Sequence, residues 1–159
     1  MSSSPLKLPA LDPAAVTAIQ GSAYPDAFKP KVAGRAKRRL GDALGLKNFG
    51  VNLATIRPGA YTALRHWHSR EDEFIYMLAG ELVLVTGAGE QLLAPGMCAG
   101  FPAGKADGHC LVNRTSQDAV YLEVGDRRPD DAVTYPDDDI LGVATPQGRR
   151  FTRKDGTPC

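Results

Sequence analysis

Apolar and polar residues alternate along the middle of the chain in short segments, and most of these segments end at glycine or proline. The segments are 49–56, 73–79, 81–86, 91–94, 97–101, 109–113 and 120–124. Alternation with a period of two is typical of strands that bury one face. Strands this short and this evenly spaced predict an antiparallel sandwich or barrel with almost no helix.

The two ends of the chain lack this alternation. Residues 1–34 are rich in serine, proline and alanine, which predicts an extended arm with at most a short helical turn at 13–20. After residue 126 the chain becomes rich in aspartate and proline, which predicts an irregular tail packed on the barrel. The predicted organisation is an N-terminal arm (1–34), a barrel (35–126) and a C-terminal tail (127–159).

Composition and charge narrow the class of protein. The chain has 159 residues, a hydrophobic content of 43% and a net charge of +1, enough for one domain with a sizeable core. Nothing in this charge calls for nucleic acid or an anionic membrane. The start of the chain has no apolar signal core, and no segment is long enough to span a membrane. We therefore expect a cytoplasmic protein.

The basic cluster and the three cysteines are expected to have structural roles. A basic cluster at 29–39 has no helix-turn-helix pattern beside it, so we expect a solvated or anion-facing strand edge, which the aspartates at 137–139 could contact. The three cysteines show no C-x-x-C spacing, which argues against a disulfide framework. Cys98 and Cys110 could approach each other only if their strands formed a hairpin. No cysteine is assigned a catalytic role.

The three histidines of the chain occur where a metal site would need them. His66 and His68 are two residues apart, so in a strand both imidazoles point to the same face while Trp67 points to the other. His109 follows about forty residues later, in a glycine-containing segment. Imidazole nitrogens are common ligands of transition metals, so this spacing predicts a chelating site.

A carboxylate is expected to complete the site. Glu73 begins the segment 73–79, and if that segment paired with 61–68, its carboxylate would lie beside the imidazoles. Glu71 or Asp72 could replace it if the strand began earlier. Three nitrogens and one oxygen suit Zn, Fe, Mn, Ni or Cu. The same strand alternation places mostly apolar side chains around the site, so a packed barrel interior with a small pocket is expected; the predicted wall is Thr62, Leu64, Ile75, Met77, Phe101, Leu111 and Asn113.

The sequence resembles the cupin superfamily in two motifs. Gly59, His66-x-His68, Glu73 and Gly80 resemble the first cupin motif, and Gly96, Pro102-x-Gly104, His109 and Asn113 resemble the second. Both departures from the usual pattern are insertions, one between Gly59 and His66 and one between Gly104 and His109. The second lengthens a loop beside the expected metal, and we expect Gly108 to give that loop the backbone freedom to re-enter a strand.

The resemblance implies an all-β cupin double-stranded β-helix, or jelly-roll barrel, that holds a divalent transition metal (Zn, Fe, Mn or Ni) at His66, His68, Glu73 and His109. More narrowly, the chain resembles small bacterial single-domain cupins that are often described as sugar-phosphate-isomerase-like. This resemblance implies a metal-dependent activity on a small molecule, with isomerase and dioxygenase as the two candidate activities. A non-catalytic metal-containing binding module is the alternative, and no residue is assigned as the catalytic base.

Further expectations concern partners and anion binding. Tyr76 and Trp67 have the opposite parity from the ligands, which places them against another sheet, the N-terminal arm or a second subunit. An aromatic outer face would suit a dimer surface, so we expect a homodimer, as is usual for cupins. A phosphate-bearing ligand would need a cation near the mouth of the barrel. The candidates are Arg57, Arg65, Lys105 and Arg114, although ordinary surface charge explains each of them equally well.

Overall fold

The chain forms three antiparallel β-sheets, and the computed structural model describes residues 6–159. Residues 1–5 of the predicted arm lie outside the described residues. One short helix, α1 (Leu40–Ala43), and two 3-10 segments (Pro13–Ala15 and Asp26–Val32) accompany the strands. The strands are β1 (Ile19–Gln20), β2 (Arg35–Arg39), β3 (Phe49–Ile56), β4 (Trp67–His68), β5 (Glu73–Ala79), β6 (Leu82–Thr86), β7 (Gly89–Leu93), β8 (Cys98–Phe101), β9 (Cys110–Val112), β10 (Ala119–Asp126), β11 (Ala132–Thr134), β12 (Leu141–Thr145) and β13 (Gly148–Thr152).

The barrel is built from a six-stranded and a three-stranded sheet. The strand orders are β1-β2-β3-β10-β5-β8 and β7-β6-β9. Their inner faces share one hydrophobic core, because alternate residues of each strand point inward. The largest core residues are Ile56, Ile75, Met77, Leu82, Leu84, Leu93, Leu111 and Tyr121. The antiparallel barrel predicted from the alternating pattern and the all-β jelly roll implied by the resemblance are confirmed. Apart from the stretch 61–68, each strand expected between residues 49 and 124 begins and ends within two residues of its predicted limits.

The strand that carries His66 and His68 does not pair with the strand of Glu73, so that expectation is wrong. Only Trp67–His68 is regular strand in this stretch, and β4 pairs with β11. Strand β5 pairs with β10 and β8 instead. His66 forms an isolated antiparallel bridge with His109. Glu73 therefore approaches the imidazoles from a different sheet, across the barrel interior.

The C-terminal tail is not irregular. Strands β11, β12 and β13 form a sheet with β4, in the order β13-β12-β11-β4. The tail is ordered because it buries apolar side chains in a second core that also includes residues of the arm and the barrel. This second core consists of Tyr24, Val32, Leu64, Val133, Tyr135 and Ile140.

The arm and the basic cluster also contact the barrel, through strand pairing and hydrogen bonds. Strand β1 of the arm pairs with β2, where it extends the six-stranded sheet. The Arg35 guanidinium donates hydrogen bonds to the carbonyl oxygens of Gly21 and Thr62, at 2.9 and 2.5 Å for its two terminal nitrogens. The aspartates of the tail do not pair with the basic cluster: Asp137 binds Arg65, and Asp139 lies 3.7 Å from Arg153.

Two glycines of the predicted motif region have different physical reasons to be glycine. Gly80 has a φ of 67°, and a Cβ there would lie 2.6 Å from the Asp118 carbonyl oxygen. Gly108 does not have a positive φ, so the expected backbone freedom is not its reason. A Cβ on Gly108 would instead lie 2.8 Å from Pro136 Cγ, so this glycine lets the tail pack closely against the inserted loop.

The cysteines are free thiols. Cys98 is exposed on β8, which pairs with β5, and Cys110 is buried on β9, which pairs with β6. The hairpin that would bring these two residues together is therefore not formed. In the part of the chain that the structure describes, no helix is long and apolar enough to cross a membrane.

Asn113, expected from the sequence in the cavity wall, is fully buried and holds a turn. Its side-chain nitrogen donates to the carbonyl oxygens of Ile56 (2.8 Å) and Gln117 (2.7 Å). We predict that Asn113→Ala lowers the free energy of unfolding by about 1–3 kcal/mol, because it leaves the buried Ile56 carbonyl group without this donor. Urea unfolding would measure the change. Asn48→Ala, at an exposed asparagine, is the control and should change stability by less than about 0.5 kcal/mol; equal effects would contradict the assignment.

Candidate metal centre

Three imidazole nitrogens converge on one carboxylate oxygen inside the barrel. Glu73 Oε2 lies 3.4, 3.4 and 3.0 Å from the Nε2 atoms of His66, His68 and His109. The three histidines are buried, with exposed fractions of 9%, 6% and 5%. The structure thus brings together all four residues that the sequence predicted for the site.

Backbone pairing sets the positions of these side chains. His66 and His109 exchange both backbone hydrogen bonds, at 3.0 and 2.8 Å, so their side chains project from neighbouring positions. His68 is held by the pairing of β4 with Val133 of β11. Glu73 is the first residue of β5, where it pairs with Gly125 on one side and Phe101 on the other.

The chemistry of these donors fits a metal ion. His66 Nδ1 lies 2.8 Å from the Leu64 carbonyl oxygen, which can only accept, so Nδ1 carries the hydrogen and Nε2 of the neutral ring presents a lone pair. That lone pair faces Glu73 Oε2, which is buried without a hydrogen-bond partner among the described residues. Two acceptors facing each other repel, whereas a cation between them would turn both into ligands. His66, His68 and Glu73 have donor atoms within 4.8 Å of one another.

The charges of the centre depend on one another. Burial raises the pKa of Glu73, but the neighbouring imidazoles of His109 and His66 outweigh it and hold that pKa well below its usual value. Burial lowers the pKa of His109. Burial also lowers the pKa of His68, but Asp131 and Glu71 outweigh it and raise this pKa to about 9. The site therefore keeps its carboxylate ionised.

The alternatives to Glu73 lie elsewhere. Glu71 Oε2 is 3.3 Å from the other ring nitrogen of His68, Nδ1, and not beside the converging Nε2 atoms. Asp72 is exposed and accepts a hydrogen bond from the backbone nitrogen of Ala103 at 2.7 Å. Asp131, from the tail, lies 2.7 Å from His68 Nδ1 and forms a second cluster with Glu71. Of the three carboxylates in this acidic stretch, only that of Glu73 faces all three histidines.

The centre opens into a cavity of about 660 Å³ whose walls combine apolar with charged and hydroxyl-bearing side chains. The arm, the six-stranded sheet and the C-terminal sheet all contribute to it. Its charged and hydroxyl-bearing lining residues include Tyr24, Arg35, Lys37, Arg39, Glu71, Tyr121, Glu123, Asp126, Arg127, Tyr135 and Arg149.

A partly buried ion pair occupies the wall of this cavity. Both carboxylate oxygens of Glu123 lie 2.7 Å from Lys37 Nζ, and one accepts from Asn52 at 2.9 Å. The Tyr121 hydroxyl donates to Glu123 Oε2 at 3.1 Å. Burial raises the pKa of Glu123, but the Lys37 ammonium outweighs it, so the carboxylate stays ionised. Because Gly125 pairs with Glu73, Glu123 lies two residues away on the same inner face as the metal centre.

A smaller cavity of about 260 Å³ lies beside the same centre. His68, Glu73, Phe101 and His109 line both cavities. The Phe101 ring stacks on the His109 imidazole, with centroids 3.5 Å apart and an interplanar angle of 2°. Trp67 is half-buried in the wall of the smaller cavity, so it does not share an outer surface with Tyr76.

Comparison with known proteins agrees with this architecture. The Cupin_2 family, described as cupin domain, matches residues 52–125. A sugar phosphate isomerase of the cupin superfamily from Silicibacter pomeroyi has 46% sequence identity and a TM-score of 0.91, with 95% of this chain and 96% of that chain covered. The chain belongs to the cupin superfamily.

More distant structures are similar to this cupin over less of its length. A candidate sugar phosphate isomerase from Acidithiobacillus ferrooxidans has 29% identity and a TM-score of 0.73, covering 82% of this chain and 83% of its own. The polyketide cyclase RemF from Streptomyces resistomycificus has 22% identity and a TM-score of 0.63, covering 77% and 82%, which shows a shared fold alone. No curated protein matches the sequence at a significant level.

The predicted cavity wall of this cupin is correct for only part of its residues. Thr62, Ile75, Phe101 and Leu111 line the larger cavity. The other three predicted wall residues, Leu64, Met77 and Asn113, are buried away from it. Leu64 belongs to the second core because residues 62–65 bend and do not continue the strand alternation.

The cations expected near the mouth are mostly engaged elsewhere. Arg65 is held by both carboxylate oxygens of Asp137, and Arg114 by both of Glu90. Lys105 lines only the smaller of the two cavities described. The cations of the larger cavity come instead from the tail and from β2, which lies within the basic cluster at 29–39. One available signal was the alternation of Arg35, Lys37 and Arg39, which predicts one cationic strand face.

The Lys37–Glu123 pair yields a prediction about stability. Lys37→Met should lower the free energy of unfolding by about 3 kcal/mol, because it leaves the Glu123 carboxylate buried without its cation. This is the low end of the usual range, since the side chains are 23% and 19% exposed. Adding Glu123→Gln should recover part of the loss, as measured by urea unfolding. A double variant less stable than Lys37→Met alone would contradict the pairing.

Proposed function

We propose that this cupin holds a divalent transition metal at His66, His68, Glu73 and His109 and uses it on a small oxygenated molecule in a sugar-phosphate-isomerase-like reaction. The observation that carries the proposal is the buried Glu73 Oε2, which faces three imidazole nitrogens without a hydrogen-bond partner among the described residues. Zinc, iron, manganese and nickel all accept this donor set, and elemental analysis would distinguish them.

The charged and hydroxyl-bearing side chains of the larger cavity favour a small polar ligand. A bound metal would act as a Lewis acid toward carbonyl or hydroxyl oxygens. The Lys37 ammonium and the Glu123 carboxylate offer a donor and an acceptor to a polyhydroxylated molecule in the cavity beside the proposed metal site. Glu123 is ionised and can accept a proton at its carboxylate, which is what proton transfer between neighbouring carbons requires. The 46% identical relative named as a sugar phosphate isomerase favours this reaction class.

The metal assignment predicts the effect of removing ligands. The double variant His66→Ala/His109→Ala should lose stoichiometric binding of a divalent ion, because half of the donor set is removed. Metal content per chain would be measured on purified protein. Glu90→Gln, at an exposed carboxylate paired with Arg114, should keep about one ion per chain. Retention of a full complement of metal by the double variant would contradict the ligand set.

Turnover needs its own experiment. Metal-loaded protein should interconvert at least one aldose–ketose pair in a panel of sugar phosphates. The reaction would be monitored by the exchange of protons between solvent and the substrate carbon. Oxygen uptake in the same panel would instead favour a dioxygenase-type cupin. Thermal stabilisation by a ligand without turnover of any substrate would favour a non-catalytic binding module.

We also propose that the molecule is a homodimer whose interface includes the outer face of β5. Phe74, Tyr76 and Leu78 alternate there with exposed fractions of 40%, 39% and 48%. Leu122 and Val124 of β10 pair with Tyr76 and Phe74, so they extend the same apolar face. Apolar surface of this kind is typical of an interface. The cytoplasmic location stays a prediction.

The dimer predicts a change in mass. Replacing Phe74 and Leu78 with lysine should convert a species of twice 17.0 kDa into one of 17.0 kDa in sedimentation velocity, because two desolvated ammonium groups would face the partner. Leu92→Lys, at an exposed leucine of β7, should leave the dimer intact. A wild-type protein of 17.0 kDa would contradict the proposal.

A further inference from the structure

The residue that contacts His68 on the side away from the converging nitrogens comes from the C-terminal tail. Asp131 is fully buried, and its Oδ2 lies 2.7 Å from His68 Nδ1. Arg149, on β13, lies 3.2 Å from the same oxygen. The tail therefore reaches the metal centre through one carboxylate oxygen.

The other oxygen of Asp131 is committed to different donors. Asp131 Oδ1 accepts from the backbone nitrogen of Arg70 at 3.0 Å and from the Ser69 hydroxyl at 3.4 Å. A backbone N–H can only donate, so an acceptor must stay at this position. The carboxylate is thereby fixed in orientation, with Oδ2 aimed at the imidazole.

We infer that Asp131 is a positioning residue for the metal site: its Oδ2 holds a hydrogen of His68 on Nδ1, so that Nε2, which faces Glu73, is the nitrogen left to bind the metal. The inference rests on the metal site proposed above. A carboxylate can only accept, so the Nδ1–H tautomer is the one it stabilises. Acceptors in this position orient metal-binding histidines and raise their basicity. The Leu64 carbonyl does the same for His66, at 2.8 Å.

Replacing Asp131 with asparagine changes the shape of the side chain very little, but we expect it to lower the metal affinity substantially. The amide oxygen should occupy the Oδ1 position, because the Arg70 N–H is fixed in the backbone and requires an acceptor there. The Arg149 guanidinium, which would then face the amide NH₂, can turn to Glu71 Oε2, 3.6 Å away. The amide NH₂ would then face His68 Nδ1 and donate to it. The neutral ring would carry its hydrogen on Nε2, the nitrogen that the metal needs.

Replacing Asp131 with alanine removes the acceptor without adding a donor. His68 Nδ1 would keep Glu71 Oε2, at 3.3 Å, as an acceptor. The Nδ1–H tautomer therefore remains available in Asp131→Ala, although it is held less firmly. A role in metal positioning predicts metal affinity in the order wild type, Ala, Asn.

A purely structural role for Asp131 predicts the reverse order. Asparagine has nearly the shape of aspartate and would preserve the packing of the tail, whereas alanine would leave a buried gap between β4 and the tail. In that case both stability and metal affinity would fall further in the alanine variant. The ranking of the two variants thus separates the two roles.

The experiment measures Co²⁺ and Zn²⁺ affinity of the full chain by competition with a chelator, together with thermal unfolding of the metal-free protein. We expect Asp131→Asn to weaken metal binding by about 10–100-fold, and Asp131→Ala by less. In the metal-free protein, the asparagine variant should be the more stable of the two. Asp137→Asn is the matched control: it lies on the same tail and binds Arg65, and it should leave the affinity unchanged.

Each outcome has a defined consequence. Wild-type affinity in the asparagine variant, or weaker binding by alanine than by asparagine, would overturn the positioning role while the metal site stands. A wild-type protein that takes up neither ion would overturn the proposed metal site, and the inference with it. A loss in Asp137→Asn equal to that in Asp131→Asn would show that tail docking, and not the His68 tautomer, controls binding.

Discussion

The structure depends most on the burial of one carboxylate. Glu73 lies inside the barrel with its Oε2 facing three imidazole nitrogens and without a hydrogen-bond partner among the described residues. A buried anion is costly unless positive charge or donors surround it. The backbone pairing of His66 with His109, and that of β4 with β11, hold the imidazoles where they can meet this requirement. The rest of the molecule supports that arrangement.

The C-terminal tail belongs to the site as much as to the fold. Val133 and Tyr135 pack in the second core, and Asp131, just before them, contacts His68. The packing of the tail thus determines where the Asp131 carboxylate lies. A residue larger than glycine would not fit at position 108, because Pro136 of the tail lies against the inserted loop. The tail, the loop and the histidines therefore constrain one another sterically.

Much of this arrangement could be predicted from the sequence. Strand alternation, turn glycines and the cupin motifs were sufficient for the barrel, and strand parity placed His66 and His68 on one face. Glu73 was expected beside them through a pairing of 61–68 with 73–79 that does not form. The pairing of strands was not predictable, because side-chain parity says which face a residue uses and not which strand lies beside it. The strands of the tail were not predicted, because they are short and separated by aspartates and proline. Only the alternation of Val133 and Tyr135 indicated a strand there. Asp131 and Glu123 carry no local motif, and only tertiary packing brings them to the cavity.

The polar wall of the cavity is hard to explain by stability alone. An ion pair such as Lys37–Glu123 pays a desolvation cost that its attraction often does no more than offset, and apolar residues of similar volume would stabilise a barrel at least as well. Asn52 and Tyr121 satisfy the remaining acceptor positions of Glu123, so the group is preorganised before any ligand arrives. Preorganised polar groups on the same inner face as a metal centre are what selective binding of a small hydroxylated molecule requires. Under the proposed function, the placement of these residues follows more directly from ligand binding than from folding.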